Sequence, residues 1–212
     1  MNVPDISSKH FDDTHDLEDR PELLRVLRVA ARALQSEDQS LRSALEAQED
    51  IARKISNGHG LTYWVYETTL VYTIWKAWLR ETKVSWEVAK RTGDKDPIKW
   101  FDLRLEIGGQ EILVEAKWWN SAANKALSQV LSDIDKLEGA RETNAALLLT
   151  FWWGVELGQD LEKATRAIGA HGPKWSLKYC AAFRADSEFA RKRGPGYFAV
   201  VAWMPDEARA PG

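Results

Sequence analysis

The sequence predicts an α/β domain whose core elements follow the order helix, strand, strand, strand, helix, strand. Residues 100–119 alternate like a β-hairpin around Gly108-Gly109, a two-residue turn in which both positions take positive φ. The long apolar segment 62–79 precedes the hairpin and lacks turn residues, which favours a helix over a strand. After the hairpin come an amphipathic helical pattern and the continuous apolar run 145–153, which is typical of a strand buried on both faces.

The N-terminal part of the chain is expected to lie outside this core. Residues 1–20 are polar and acidic and predict a flexible tail. Residues 21–58 predict a helical extension, in which Pro21 suits a first helical turn and Ser36 is a candidate cap for a second helix. The extension could form a helical hairpin, a dimerisation arm or extra packing on the domain. We expect it to be dispensable for the folding of the main domain, residues 59–212, and to serve assembly, with a homodimer as one candidate.

Each core element has its own pattern. The segment 62–79 is long enough for about five helical turns and is apolar on nearly every side, so it predicts a buried central helix. Glu67 is its only acid, and a buried carboxylate needs a partner, either a basic side chain or a metal ion. The other elements are predicted as a strand at 83–90, a helix from Asn120 or Ser121 to Gly139, a strand at 145–153, a helix near 159–168 and a strand at 196–204.

The register of the hairpin follows from its turn. If Gly108 and Gly109 form the loop, Ile107 pairs with Gln110, and Asp102 lies opposite Glu115. One face then carries mostly apolar residues and should cover a core: Phe101, Leu103, Leu105, Ile107, Ile112, Val114 and Ala116. The other face is mostly polar: Trp100, Asp102, Arg104, Glu106, Glu111, Leu113, Glu115 and Lys117.

This register predicts a site for a metal ion. Directly opposed residues have Cβ atoms about 4.5–5.5 Å apart, so Asp102 and Glu115 repel unless a cation lies between them. No His or Cys is nearby, so Mg²⁺ fits better than Zn²⁺, and Mn²⁺ should substitute for it. Lys117 can hold a water, a hydroxide or a phosphate oxygen, and the backbone carbonyl of Ala116 is a third candidate ligand. The alternative is a solvent-facing strand pair whose acids are neutralised by Arg104 and Lys117 without metal.

Over residues 61–153, this order of elements and acids resembles the PD-(D/E)xK nuclease superfamily. The resemblance implies a restriction-endonuclease-like fold, with a mixed central sheet flanked by helices. It implies that Asp102 and Glu115 are metal ligands and that Lys117 positions or activates the attacking water. Glu67 would then be the helix carboxylate that contributes to a metal site directly or through water. The chain departs from the motif where Phe101, not Pro, precedes Asp102.

The helix after the hairpin supplies a further comparison with this superfamily. Some members carry a Gln and a Tyr there. Gln129 stands at a corresponding place, whereas Asp133 occupies the position one turn later. The weaker candidates for contact with nucleic acid are Trp100, Trp119, Lys125, Gln129 and Lys136. Packing in the core is the favoured role for the two tryptophans, and a solvated helix face is an equal alternative for the lysines.

Composition limits the class of protein. The net charge is −3, the single cysteine rules out an internal disulfide framework, and no apolar run of transmembrane length or secretory leader is evident. We therefore expect a cytoplasmic protein without a membrane partner. The leading hypothesis is a Mg²⁺-dependent nuclease, a phosphodiesterase with DNA favoured over RNA. The alternative is a non-enzymatic binding or assembly module that keeps the same fold and acts through its N-terminal helices.

Overall fold

Among the residues that the structure describes, seven strands form one mixed sheet and four helices pack against it. The computed structural model describes residues 12–47, 66–91, 97–119, 124–140, 145–154, 157–171, 174–185 and 196–206. The strands are β1 (Asp12–His15), β2 (Lys83–Lys90), β3 (Lys99–Ile107), β4 (Gln110–Trp118), β5 (Ala145–Gly154), β6 (Trp175–Arg184) and β7 (Tyr197–Pro205). The helices are α1 (Pro21–Glu46), α2 (Glu67–Trp78), α3 (Asn124–Glu138) and α4 (Leu157–Gly169).

The sheet has the strand order β1-β6-β7-β5-β4-β3-β2. Strands β4 and β5 pair in parallel, and the other recorded pairings are antiparallel. Helices α1 and α2 contribute to the hydrophobic core on one face, and α3 and α4 contribute to the core on the other. The predicted α/β class, with a mixed sheet flanked by helices and an N-terminal helix, is confirmed.

The central strand β5 shows why both faces must be covered. Its side chains alternate between the two cores, with Leu147 and Leu149 facing α1 and α2 and with Leu148 and Trp152 facing α3 and α4. The buried Thr150 hydroxyl accepts hydrogen bonds of 2.8 Å from the indole Nε1 of Trp152 and from that of Trp203. The strand is therefore buried on both sides, as its continuous apolar run predicts.

The predicted hairpin register is confirmed next to the turn. Gly108 and Gly109 have φ values of 58° and 79°, and the recorded pairs run from Ile107–Gln110 to Leu103–Val114. On the polar face of the hairpin, Leu113 and Glu115 are buried, and Leu113 packs in the core to which α3 contributes. Glu115 therefore lies at a buried junction, whereas the side chains of Arg104 and Glu106 on the same face are 40% and 49% exposed.

Phe101 departs from the predicted alternation. It is buried with the α3 and α4 core, whereas Leu103 and Leu105 are buried with the α1 and α2 core. The change falls at Asp102, which lies between them in the sequence. Glu87 of β2, the neighbour of Asp102 in register, has φ 48° and is missing from the recorded pairs. The irregularity in β2 thus lies level with the point at which the side chains of β3 change sides.

The N-terminal residues differ from the expected tail and separate extension. Residues Asp12–His15 form β1, which pairs with β6. Helix α1 continues through Ser36, so the candidate cap lies inside one helix. The apolar stripe of α1 is buried in the same core as the sheet, and Trp78 Nε1 donates a 2.7 Å hydrogen bond to the carbonyl of Val26. Residues 1–11 and 48–65, which include parts of the expected tail, of the extension and of the apolar segment 62–79, lie outside the described residues.

Helix α2 is buried on one side, so the prediction of burial on nearly every side is wrong. Leu70, Ile74 and Trp78 face the core, whereas Tyr72 and Leu79 are 48% and 49% exposed. Helix α2 contacts both the sheet and α1, and its remaining side is exposed to solvent.

Across the part of the chain that is described, no helix is long and apolar enough to span a membrane.

Candidate active site

The candidate site lies where β3 and β4 part. Recorded pairing between these strands ends at Leu103–Val114. Beyond that point the amide of Ala116 donates to Asp102 Oδ2 at 2.8 Å, and the amide of Trp118 donates to Glu67 Oε2 at 2.6 Å. Amides two residues apart point to the same edge of a strand, so the two carboxylates satisfy donors that β3 no longer pairs. The backbone of β4 thereby fixes Asp102 and Glu67 in the gap.

Glu115 is the most deeply buried acid of the site. It is 3% exposed, and the Lys136 ammonium of α3 contacts its Oε1. Burial, and then the neighbouring Asp102, raise the pKa of Glu115 to about 8, and Lys136 only partly opposes this shift. Glu115 is thus poorly compensated as an anion, although it has an ion-pair partner.

Lys117 lies between two carboxylates. Its Nζ is 3.1 Å from Glu67 Oε1 and 3.8 Å from Asp133 Oδ2. Burial lowers the pKa of Lys117, but Glu67 and Asp133 outweigh that effect, so the pKa is raised from its ordinary value. Lys117 therefore stays positively charged at neutral pH and acts as a fixed cation, not as a base.

The site carries more negative than positive charge. The carboxylates of Glu67, Asp102, Glu115 and Asp133 interact electrostatically with one another and with the ammonium groups of Lys117 and Lys136. When all six groups are ionised, two negative charges remain uncompensated. Burial raises the pKa of Asp102 and that of Asp133, as expected where anions lack sufficient counter-charge.

The donor set fits a hard divalent cation in its chemistry. All the side-chain donors are carboxylate oxygens, the ligands that Mg²⁺ prefers, and its double charge matches the surplus. The carbonyl of Ala116 shares the strand edge of its own amide, which bonds to Asp102, so it is placed as a further ligand. Within the described ranges no three acidic, His or Cys side chains converge as metal ligands. Hydrogen bonds and lysines hold the acids apart from one another.

The four predicted catalytic residues are therefore brought together. Arg104, a predicted neutraliser of the acid pair, bonds instead to Glu111 at 3.3 Å and to Ser85 at 3.0 Å. Asp133 of α3 was not predicted as a member of the site, and Lys136 of α3 was predicted only as a weaker contact for nucleic acid and not as the partner of Glu115. Their spacing from Gln129 is four and seven residues, which places all three on one helix face. This spacing is the sequence pattern from which Asp133 and Lys136 could have been placed beside Gln129.

The remaining candidate contacts lie in different surroundings. Trp100 is 61% exposed at the start of β3. Trp119 is buried and stacks on Trp152, with ring centroids 4.5 Å apart, so it packs in the core. Gln129 is exposed on α3, and the side chain of Lys125 lies outside the described residues.

Comparison of the chain with protein-family models, with characterised proteins and with solved structures finds no match. We therefore take the function from the chemistry of the site.

Proposed function

We propose that the protein is a Mg²⁺-dependent nuclease of the PD-(D/E)xK type, with a restriction-endonuclease-like core and DNA as the favoured substrate. The observation that carries the proposal is the arrangement around Lys117. This ammonium lies between Glu67 and Asp133, two residues along β4 from Glu115 and beside the gap that holds Asp102. An acid pair that can hold a metal ion, next to a permanently charged lysine, supplies the charge stabilisation that promotes phosphodiester hydrolysis.

The order of elements supports the same proposal. Helix α2, strands β2, β3 and β4, helix α3 and strand β5 follow one another along the chain. Strands β2, β3 and β4 form an antiparallel meander, and β4 pairs in parallel with β5 after the crossover through α3. The site gathers acidic and basic side chains from three of these elements. Glu67 comes from α2, Asp102 comes from β3, and the Glu-x-Lys pair comes from β4.

The residues can be given roles in a balanced reaction. A water oxygen attacks phosphorus, the bond from phosphorus to the leaving sugar oxygen breaks, and that oxygen takes a proton from solvent. Asp102, Glu115 and the Ala116 carbonyl would hold Mg²⁺, which supplies charge neutralisation and lowers the pKa of a bound water. Lys117 orients the attacking water or a phosphate oxygen through its fixed charge. Asp133, whose Oδ2 is 3.8 Å from Lys117 Nζ, would accept the proton that the water loses.

One observation favours a second candidate function. Lys136 already pairs with Glu115, so the acids and lysines can act as a structural ion network without metal. In that case the protein is a non-enzymatic binding or assembly module with a nuclease-like fold. The two candidates differ in whether the site binds divalent ions.

The test is a nuclease time course with Mg²⁺ or Mn²⁺ on plasmid, linear and single-stranded DNA and on structured RNA. We expect Lys117→Ala to lower turnover by about 10²–10³-fold, the scale of losing one electrostatic stabiliser, because its fixed charge beside the water is lost. Affinity for DNA in Ca²⁺ should change far less, since Lys117 would be one phosphate contact among several. Lys163→Ala is the matched control, because Lys163 is a 69% exposed lysine on α4.

Two outcomes would contradict the proposal. Activity that is equal in wild type and Lys117→Ala would place the chemistry at another site. A wild-type protein that cleaves none of these substrates and binds no divalent ion would favour the second candidate.

A further inference from the structure

The Lys136 ammonium has three contacts, and one of them is with a charge. It contacts Glu115 Oε1, donates a 2.7 Å hydrogen bond to the carbonyl of Trp100, and lies 5.1 Å from the centroid of the Phe101 ring. The carbonyl and the ring are neutral partners. If the ammonium left this position, its one direct ion pair would be broken and its longer-range attraction to Asp102 and Asp133 would weaken.

A metal ion bound through Glu115 would compete with this ammonium. Two cations on one buried carboxylate lie close together and repel each other strongly. Glu115 is nearly fully buried, so its Oε1 has little room for a second partner from solvent. The Lys136 side chain itself is 27% exposed, which leaves its flexible arm a path out of the site.

The charge of the site gives the direction of the exchange. With Lys136 in place, the fully ionised cluster has a surplus of two negative charges, and without it the surplus is three. A divalent ion adds more positive charge than the ammonium removes when it leaves. The exchange therefore improves the charge balance at the buried acids.

We propose that Lys136 is the resident counter-cation of Glu115, which a divalent ion displaces when it binds, so that Lys136 sets the ion concentration at which the site fills. This inference rests on the proposed function, because it takes Asp102 and Glu115 as the metal site. It adds a residue that regulates filling of that site. Lys136 weakens metal binding because it competes with the ion for Glu115, whereas a residue that positions a metal ligand would strengthen binding.

Mn²⁺ titration by calorimetry tests the inference through the effect of removing the charge of Lys136. We expect Lys136→Met to bind Mn²⁺ about ten-fold more tightly than wild type or better, since one charge-assisted contact no longer has to be broken. Lys136→Arg keeps the positive charge, so its affinity for Mn²⁺ should stay as weak as that of wild type. Lys163→Met removes an exposed lysine from α4 and controls for net charge. A residue that only supports Glu115 would give the opposite sign, with weaker binding in Lys136→Met.

The wild-type protein gives a second measurement that needs no stable Met variant. In ¹⁵N spectra of the lysine side-chain ammonium groups, the Lys136 signal is assigned by its loss in Lys136→Arg. The chemical shift of this signal should change to that of a solvated lysine as Mg²⁺ saturates the protein.

The results separate the two proposals. An unchanged Lys136 signal at saturation, or equal or weaker Mn²⁺ binding in Lys136→Met, would overturn the displacement and leave the metal site standing. If neither wild type nor any variant binds Mn²⁺, both the displacement and the proposed nuclease function fail.

Discussion

Asp102 is a residue of β3 with no recorded pairing partner on either neighbouring strand, β2 or β4. Its register neighbour on β2, Glu87, has φ 48°, and on β4 the recorded pairs stop one residue before Glu115. A positive φ at a residue other than Gly costs about 1–3 kcal/mol, and such strain is concentrated at functional sites. The strained residue lies level with Asp102 on the β2 side of β3, and the gap into which the Asp102 carboxylate projects to meet the Ala116 amide lies on the β4 side. We infer that the interrupted ladder makes room for the site.

Glu115 should give the metal-free protein a characteristic pH dependence. Its pKa is raised from 4.5 to about 8 in the folded chain, so the native state binds the proton more tightly than the unfolded state. The contribution of this proton to the free energy of unfolding is fully present below about pH 4.5 and is lost as pH rises from about 4.5 to about 8. The loss is at most ~1.4 kcal/mol per pH unit for one proton.

Denaturant unfolding in EDTA between pH 5 and pH 9 measures this dependence. Glu115→Gln should have a flatter profile than wild type over this range and should be the more stable of the two at high pH. Parallel profiles for the two proteins would mean that Glu115 is ionised in the folded state throughout, with Lys136 as a full counter-charge.

At the scale of elements, α1 belongs to the core and not to an appendage. Seven of its side chains are buried against the sheet and α2: Leu23, Leu24, Val26, Leu27, Ala30, Ala31 and Leu34. Removing the helix would expose this face of the core together with α2, which carries Glu67. The N-terminal residues therefore support the candidate site through α2.

Truncation and point substitution test the role of α1. A chain that begins at Gly58 should fail to unfold cooperatively in thermal melts followed by circular dichroism. Leu27→Ala in the full chain should cost about 2–5 kcal/mol of unfolding free energy, because Leu27 is fully buried. Arg32→Ala on the exposed side of the same helix should change it by no more than about 0.5 kcal/mol. Cooperative melting of the truncated chain would show that residues 59–212 form an independent domain.

The elements differ in how far the sequence predicts them. The hairpin register follows from Gly108-Gly109, because a two-residue turn fixes every pair beyond it until the ladder breaks. The reversal at Phe101 coincides with the positive φ of Glu87, a residue type with no preference for that conformation, so the position of Phe101 does not follow from the local sequence. The open flank of α2 was missed because an aromatic-rich segment has the same composition whether one side or all sides are buried.

At the scale of the whole molecule, the candidate site joins the two layers of the fold. Glu67 comes from α2 on one face of the sheet, Asp133 and Lys136 come from α3 on the other, and the hairpin lies between them. The acid pair and Lys117 are close in sequence and could be predicted from the hairpin alone. The pairing of Lys136 with Glu115 requires the angle at which α3 crosses the sheet, which periodicity in a sequence does not specify.

The central claim is that this junction is a site for a divalent ion, and anomalous diffraction from crystals soaked in Mn²⁺ tests it most directly. We expect an anomalous peak between the carboxylates of Asp102 and Glu115, with the Lys136 ammonium no longer on Glu115 Oε1. The peak should disappear in crystals of Asp102→Asn soaked in the same way. A saturating soak that leaves the junction without a peak, with Lys136 still paired to Glu115, would contradict the claim.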